Sequence, residues 1–167
     1  ISENLKQVQT RIIDACLNAN RLPSDVNLLA VSKTKPIEDV ARAMEAGQCH
    51  FGENYLQDAI PKIQALPHAR WHFIGQIQSN KTRDIAAHFD FVHGLASEKI
   101  ATRLNAHRPE AKAPLGVSIQ INLASEASKG GLAPEALPAL VDHIRTLSRL
   151  EFMGLMALPP QSFGQRA

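Results

Sequence analysis

The sequence has little cysteine, and its cysteines do not have metal or redox spacing. Cys16 and Cys49 are the only two, and no C-x-x-C pair occurs. A disulfide framework of the kind that stabilises small secreted domains is therefore excluded. We expect two buried free thiols in a reducing cytoplasm.

The sequence also lacks an excess of positive charge and any long apolar run. Lys and Arg number 18 against 16 Asp and Glu, so the formal net charge is only +2. A protein that binds nucleic acid by neutralising phosphates needs a larger basic excess, so we expect no nucleic-acid partner. No stretch approaches the roughly 18 apolar residues of a spanning helix, and residues 1–7 are too polar for a signal peptide. These absences predict a cytoplasmic protein with no membrane partner.

Common nucleotide and zinc motifs are absent. No G-x-x-x-x-G-K-[ST] loop, no G-x-G-x-x-G loop and no H-E-x-x-H helix occurs. The phosphate loops and the metalloprotease site that these motifs build are therefore not expected.

The chain shows an alternation of helical and strand patterns. Apolar residues recur every three or four positions from Leu5 to Ala19, which predicts an amphipathic helix with Ser2 as its N-cap. Five strand–helix pairs and a sixth strand follow. The predicted strands are 27–32, 49–53, 70–75, 89–94, 116–122 and 151–158. The predicted helices are 36–46, 54–65 and 79–88, followed by a helix that Ser97 caps and a helix that begins at Pro134. Pro61 predicts a kink or an early stop in the second of these helices. Such alternation predicts a parallel sheet with covering helices, here in a single domain, 1–167.

The polar residues at the strand ends favour a (β/α)8 TIM barrel over an open doubly wound sheet. An open sheet concentrates function at one switch point, whereas a barrel collects it from the ends of many strands. Chemically capable residues follow nearly every strand: Lys33, Glu53 with Asn54, His72 with Gly75, His93, and Asn122. A barrel has eight strands. The six in the sequence predict one that lacks the last two.

Lys33 is the first candidate for chemistry, because it follows the first predicted strand at the mouth where barrel sites form. A desolvated amine there can form a Schiff base with an aldehyde. Lys35 competes for the same role, and periodicity does not choose between them. A solvated loop lysine is the alternative interpretation.

Four further segments carry weaker signals. Glu53 or Asn54 can hydrogen-bond a polar ligand, although Asn54 can equally cap the next helix. His72 lies beside the single tryptophan, in a strand followed by a polar turn that can attract an anion. Residues 125–131 suggest a loop over the site, and residues 153–157, which include Met156, suggest a core strand.

The combination of these segments closely resembles one family. Leu29-Ala-Val-Ser-Lys33-Thr-Lys-Pro, Phe51-Gly-Glu-Asn-Tyr, Trp71-His-Phe-Ile-Gly-Gln-Ile-Gln-Ser-Asn-Lys81 and Gly154-Leu-Met-Ala occur in that order. This order is similar to the YggS/PROSC family of pyridoxal-phosphate-binding proteins, and the resemblance runs from the first helix to about residue 160. It implies a barrel like the N-terminal domain of alanine racemase.

The resemblance also implies a cofactor and a site. It implies that Lys33, rather than Lys35, holds pyridoxal 5′-phosphate (PLP) as a Schiff base, with Asn54, His72 and Met156 as pocket walls. It implies a role in intracellular PLP (vitamin B6) homeostasis without established turnover, with apo PLP-dependent enzymes as partners and a monomeric or weakly homo-oligomeric state. The alternatives are a PLP-dependent racemase-like enzyme and an incomplete barrel with little activity.

The sequence departs from the family in one respect. The family's Ser-x-Gly-Met-Ser and Arg-x-Gly segments, which grip the cofactor phosphate, do not occur among these residues. Barrels often build their phosphate site after strands seven and eight. We therefore expect a chain that keeps the Schiff-base lysine but binds PLP weakly.

Overall fold

A computed structural model describes residues 1–123 and 130–158. The chain divides into two compact units, Ile1–Trp71 and His72–Ala167. Most of the predicted loop 125–131 and the tail 159–167 lie outside the described residues.

The first unit begins with an amphipathic helix and continues as alternating strands and helices. Its elements are α1 (Ser2–Asn18), β1 (Ala30–Val31), α2 (Ile37–Glu45), β2 (His50–Glu53), α3 (Leu56–Ala65) and the start of β3 (Arg70–Phe73). β1 pairs with β2 in parallel, with Ala30 opposite Phe51. The Arg70 N–H donates to the Cys49 carbonyl at 2.8 Å, so β3 begins beside β2.

Aromatic packing forms the core of the first unit. The rings of Phe51 and Trp71 lie 5.7 Å apart, and both side chains are buried. The indole N–H of Trp71 donates to the Leu66 carbonyl at 3.3 Å. The Trp71 ring is buried and its N–H has an acceptor at the C-cap of α3, so this contact joins the end of α3 to the start of β3.

The second unit continues the alternation. Its elements are the rest of β3, α4 (Thr82–His88), β4 (Phe91–Leu95), α5 (Glu98–His107), β5 (Leu115–Ile121), α6 (Leu137–Arg145) and β6 (Leu150–Ala157). The strands pair in parallel in the order β3-β4-β5-β6. Gly116 is required in β5, because a Cβ atom there would overlap the ring of Phe91.

A buried arginine ties helices and strands of the second unit together. The Arg108 guanidinium donates to the carbonyls of Ala86 and Phe89 at 2.7 Å each and to that of Ala113 at 2.8 Å. Burial lowers the pKa of Arg108 from its usual value, an effect that Asp90 partly opposes. Arg108 thus supplies donors to two carbonyls at the end of α4 and to one that precedes β5.

The structure confirms the predicted alternation of one helix, five strand–helix pairs and a sixth strand, and hence a parallel α/β fold. The described residues contain six strands, whereas a complete (β/α)8 barrel has eight.

Several local predictions are wrong. Ile1, not Ser2, occupies the N-cap of α1, and Tyr55, not Asn54, that of α3. α3 continues through Pro61 without stopping there. Cys49 is exposed, so only Cys16 is the expected buried thiol.

Candidate functional site

Lys33 lies in a tight turn that directly follows β1. The Lys35 N–H donates to the Ser32 carbonyl at 3.1 Å, which closes a four-residue turn with Lys33 at its second position. Thr34, at the third position, has a φ of 65°. Turns with positive φ there usually place Gly or Asn at that position, and a β-branched residue is uncommon. A conformation of this kind persists only when its surroundings hold it.

A buried ion pair contacts this turn from one side. Lys62, on α3, donates from Nζ to Oε1 of Glu53 at 2.7 Å and to the Ser32 carbonyl at 2.9 Å. The Ser32 hydroxyl donates to the same Glu53 oxygen at 2.7 Å. Glu53 is 0% and Lys62 5% exposed. Because both charges are out of water, each depends on the other and on Ser32 for compensation.

The amine of Lys33, in contrast, is free for chemistry. Its side chain is exposed, and among the described residues its Nζ makes no hydrogen bond or ion pair. An uncommitted amine on a fixed turn can attack a carbonyl carbon, whereas the Nζ of Lys62 is committed to two acceptors. The geometry therefore distinguishes Lys33 from Lys62.

Lys35 faces a different environment from Lys33. It lines a cavity of about 320 Å³ in the first unit, together with residues of α1, β1 and α2. Lys33 does not line this cavity. The two lysines that the sequence could not separate thus differ in their surroundings.

Asn54 carries a buried acceptor without a donor. It follows β2, the neighbour of β1, so Lys33 and Asn54 both come just after the carboxyl ends of adjacent parallel strands. Its Oδ1 atom is buried and has no hydrogen-bond partner, as is also true of Glu53 Oε2. A buried acceptor of this kind is suited to a donor on a ligand. A free amine reacts with an aldehyde, and an unpaired amide oxygen accepts a hydrogen bond from a polar ligand.

His72 lies in the second unit and pairs with another histidine. Its Nδ1 lies 2.8 Å from Nε2 of His93 on β4, so one ring donates to the other. The His72 ring also stacks on Phe91, with ring centroids 4.4 Å apart. Burial lowers the pKa of His93. Desolvation therefore favours a neutral imidazole at His93.

Met156 lies on β6 of the second unit. It is half-buried and opposite Gln120 of β5 in the strand register. The strand order of this unit places β4 and β5 between His72 and Met156. The structure therefore places these two candidates on separate strands of one parallel sheet.

A metal site is not found in the described part of the chain. No group of three or more His, Cys, Asp or Glu side chains there could hold a metal ion. Similarly, no helix among residues 1–123 and 130–158 is long and apolar enough to cross a membrane.

Sequence reasoning missed the ion pair between Glu53 and Lys62. The position of Glu53 at the end of a strand predicts a ligand contact, and nothing in the motif that contains it indicates Lys62 as a partner. One signal was present: Leu56, Ala59 and Lys62 are three residues apart and all buried on one face of α3. A lysine on the buried face of a helix requires a partner, because an unpaired buried charge is very costly.

The comparison with protein families identifies the chain. The model of the alanine racemase N-terminal domain matches residues 4–165. The pyridoxal phosphate homeostasis protein of Pseudomonas aeruginosa is 52% identical over 162 residues, which cover 95% of this chain and 70% of that protein. The chain belongs to the family of pyridoxal phosphate homeostasis proteins.

Solved structures agree with this membership. PipY of Synechococcus elongatus PCC7942, solved without PLP, is 34% identical with a TM-score of 0.83 and covers 96% of this chain and 72% of its own. The same protein with PLP bound has a TM-score of 0.75 and covers 90% of this chain and 71% of its own. Alanine racemase from E. faecalis, 19% identical with a TM-score of 0.68, covers 93% of this chain and 42% of its own, and shares the fold. The fold is that of the alanine racemase N-terminal domain, as the sequence predicted.

Proposed function

We propose that this chain binds PLP and acts in intracellular PLP homeostasis, with Lys33 as the residue that forms a Schiff base. The observation that carries the proposal is the uncommitted amine of Lys33. This lysine lies on a turn whose Ser32 carbonyl accepts a hydrogen bond from the buried ion pair of Lys62 and Glu53. The relatives support the cofactor, because PipY has been solved with PLP bound and the Pseudomonas relative is named for PLP homeostasis.

The chemistry needs few groups from the protein. Lys33 would hold PLP through a Schiff base between its Nζ and the aldehyde of the cofactor, and formation of that C=N bond would release one water. Bound PLP supplies an electron-withdrawing ring, which is the cofactor's own chemistry. Asn54 contributes its buried Oδ1 as an acceptor for a ligand donor.

We propose His72 and Met156 as further walls of the site, on the strength of the sequence resemblance alone. The two positions belong to the second unit, where His72 contacts His93 and Phe91. The same proposal has four further parts. They are apo PLP-dependent enzymes as recipients of PLP, a cytoplasmic location, a monomeric or weakly associated state, and a single PLP-binding domain over 1–167.

The two lysines of the turn provide a matched test. Lys33→Ala should abolish both the visible imine absorbance and the PLP that borohydride fixes to the protein. Lys35→Ala should largely retain both, because Lys35 lines a cavity that Lys33 does not line. The reverse pattern would overturn the assignment of Lys33.

A further inference from the structure

We propose that Glu53 and Lys62 are positioning residues, which set the orientation in which Lys33 presents its amine to a carbonyl ligand. The inference rests on the proposed function of Lys33 as the Schiff-base residue. The peptide unit that joins Ser32 to Lys33 is the point at which the ion pair contacts the turn.

The carbonyl of that peptide unit accepts two hydrogen bonds. Lys35 N–H donates to the Ser32 oxygen at 3.1 Å within the turn, and Lys62 Nζ donates at 2.9 Å from α3. A peptide unit is planar, so holding its oxygen also fixes the nitrogen of the next residue. That next residue is Lys33. The ammonium of Lys62 therefore restrains the backbone from which the Lys33 side chain projects.

The Ser32 side of this peptide unit is fixed as well. The Ser32 N–H donates to the Gly52 carbonyl at 3.0 Å, and its hydroxyl donates to Glu53 Oε1 at 2.7 Å. Glu53 thus receives donors from both Ser32 and Lys62 on a single oxygen. Both members of the ion pair contact Ser32, while the second carboxylate oxygen of Glu53, Oε2, has no partner.

Packing and stability do not require such a pair. A buried ion pair can often be replaced by apolar residues of similar volume without loss of stability, because desolvation offsets the attraction of the charges. Apolar side chains at both positions could fill the same space between α3 and the strands. They could not donate to the Ser32 carbonyl. The distinctive contribution of Lys62 is therefore the restraint on the turn.

The strained residue beside Lys33 supports this role. Thr34 has a φ of 65°, which a threonine rarely adopts. A turn with a β-branched residue in this conformation relaxes unless neighbouring contacts hold it. Lys33 lies between this residue and the fixed peptide unit, so release of either end changes where its amine points.

The test separates positioning from stability by removing both charges together. The variant Lys62→Met/Glu53→Leu keeps an apolar filling without an unpaired charge, and Lys99→Met is the control at an exposed lysine of α5. The double variant should remain folded and still fix PLP with borohydride. We expect its rate of imine formation to fall roughly tenfold or more, because two charge-assisted hydrogen bonds to Ser32 are lost, one from Lys62 to its carbonyl and one from its hydroxyl to Glu53. Its circular dichroism per bound PLP should also fall, whereas Lys99→Met should match the wild type.

A second readout needs no cofactor. Amide hydrogen exchange at Lys35, whose N–H closes the turn, should accelerate roughly tenfold in the double variant, while exchange at Leu150 should not change. In the unaltered protein, nitrogen NMR should show slowly exchanging ammonium protons on Lys62 and rapidly exchanging ones on Lys99. This measurement tests the contact even if the double variant does not fold.

The outcomes distinguish the two proposals. If the wild type forms no borohydride-fixed product, the proposed function is wrong, and exchange at Lys35 alone decides whether the pair holds the turn. If the wild type forms the product and the folded double variant matches it in rate, dichroism and exchange, the positioning proposal is wrong and the Schiff-base assignment stands. Rapid exchange of the Lys62 ammonium protons in the wild type would also overturn the positioning proposal.

Discussion

Removal of Lys62 alone should destabilise the protein far more than removal of the whole ion pair. In Lys62→Met, the carboxylate of Glu53 stays fully buried but loses the ammonium of Lys62, which donates at 2.7 Å. Breaking a buried pair in this way costs about 3–5 kcal/mol. In Lys62→Met/Glu53→Leu, both charges are gone, so we expect a free energy of unfolding within about 2 kcal/mol of the wild type.

Urea denaturation followed by far-UV circular dichroism measures these differences. The slope of the free energy against urea should stay constant across the set, so that shifts in midpoint report stability. Lys99→Met should change stability by no more than about 0.5 kcal/mol, because its side chain is exposed. Two results would refute the reasoning: a cost below about 1 kcal/mol for Lys62→Met, or a double variant whose cost equals the sum of the two single variants.

Four further predictions concern other parts of the molecule. Arg108→Met should lower the free energy of unfolding by about 3 kcal/mol or more in urea titrations, because it leaves three carbonyls without their donor; a loss below about 1 kcal/mol would contradict this. Gly116→Ala should cost about 1–3 kcal/mol in thermal melts through overlap with Phe91, and an unchanged melting temperature would refute the packing. Burial lowers the pKa of His93 below its usual 6.5, so the unfolded chain binds a proton that the native protein does not, and stability should fall as pH drops below about 6.5. In His93→Asn, the free energy of unfolding should fall less between about pH 7 and pH 5 than in the wild type. An equal fall in both proteins would exclude His93 as its source. The PLP-loaded chain should not racemise alanine at an enzymatic rate, and Lys33-dependent accumulation of D-alanine over many turnovers would contradict this.

The alternation of strands and helices was predictable because each element has its own apolar periodicity. The spacing from Leu5 to Ala19 gave α1, and the apolar run after Gly116 gave β5. Element ends were less predictable. Asn54 has a strong capping side chain, yet Tyr55 is the N-cap of α3, and the helix does not stop at Pro61, which was one of the two outcomes expected there. These details depend on tertiary packing that a local pattern does not contain.

The candidate site likewise has parts that the sequence predicts and parts that it does not. The position of Lys33 after the first strand followed from the sequence, but the choice between Lys33 and Lys35 came only from the family resemblance. The contact between Lys62 and Ser32 joins residues 30 positions apart and could not be inferred from spacing. The partner of His72 was equally hidden, since His93 lies on the next strand, 21 residues away.

The measurement that tests the central claim most directly is the location of the borohydride-fixed cofactor. The sequence contains eight lysines, at positions 6, 33, 35, 62, 81, 99, 112 and 129. The PLP-loaded wild type would be reduced, digested and mapped by mass spectrometry, with a sample denatured before PLP addition as the control. We predict that the folded protein carries the phosphopyridoxyl group on Lys33 and that the denatured control spreads it over several lysines. Modification of the folded protein mainly at Lys35, or the same spread in both samples, would contradict the account.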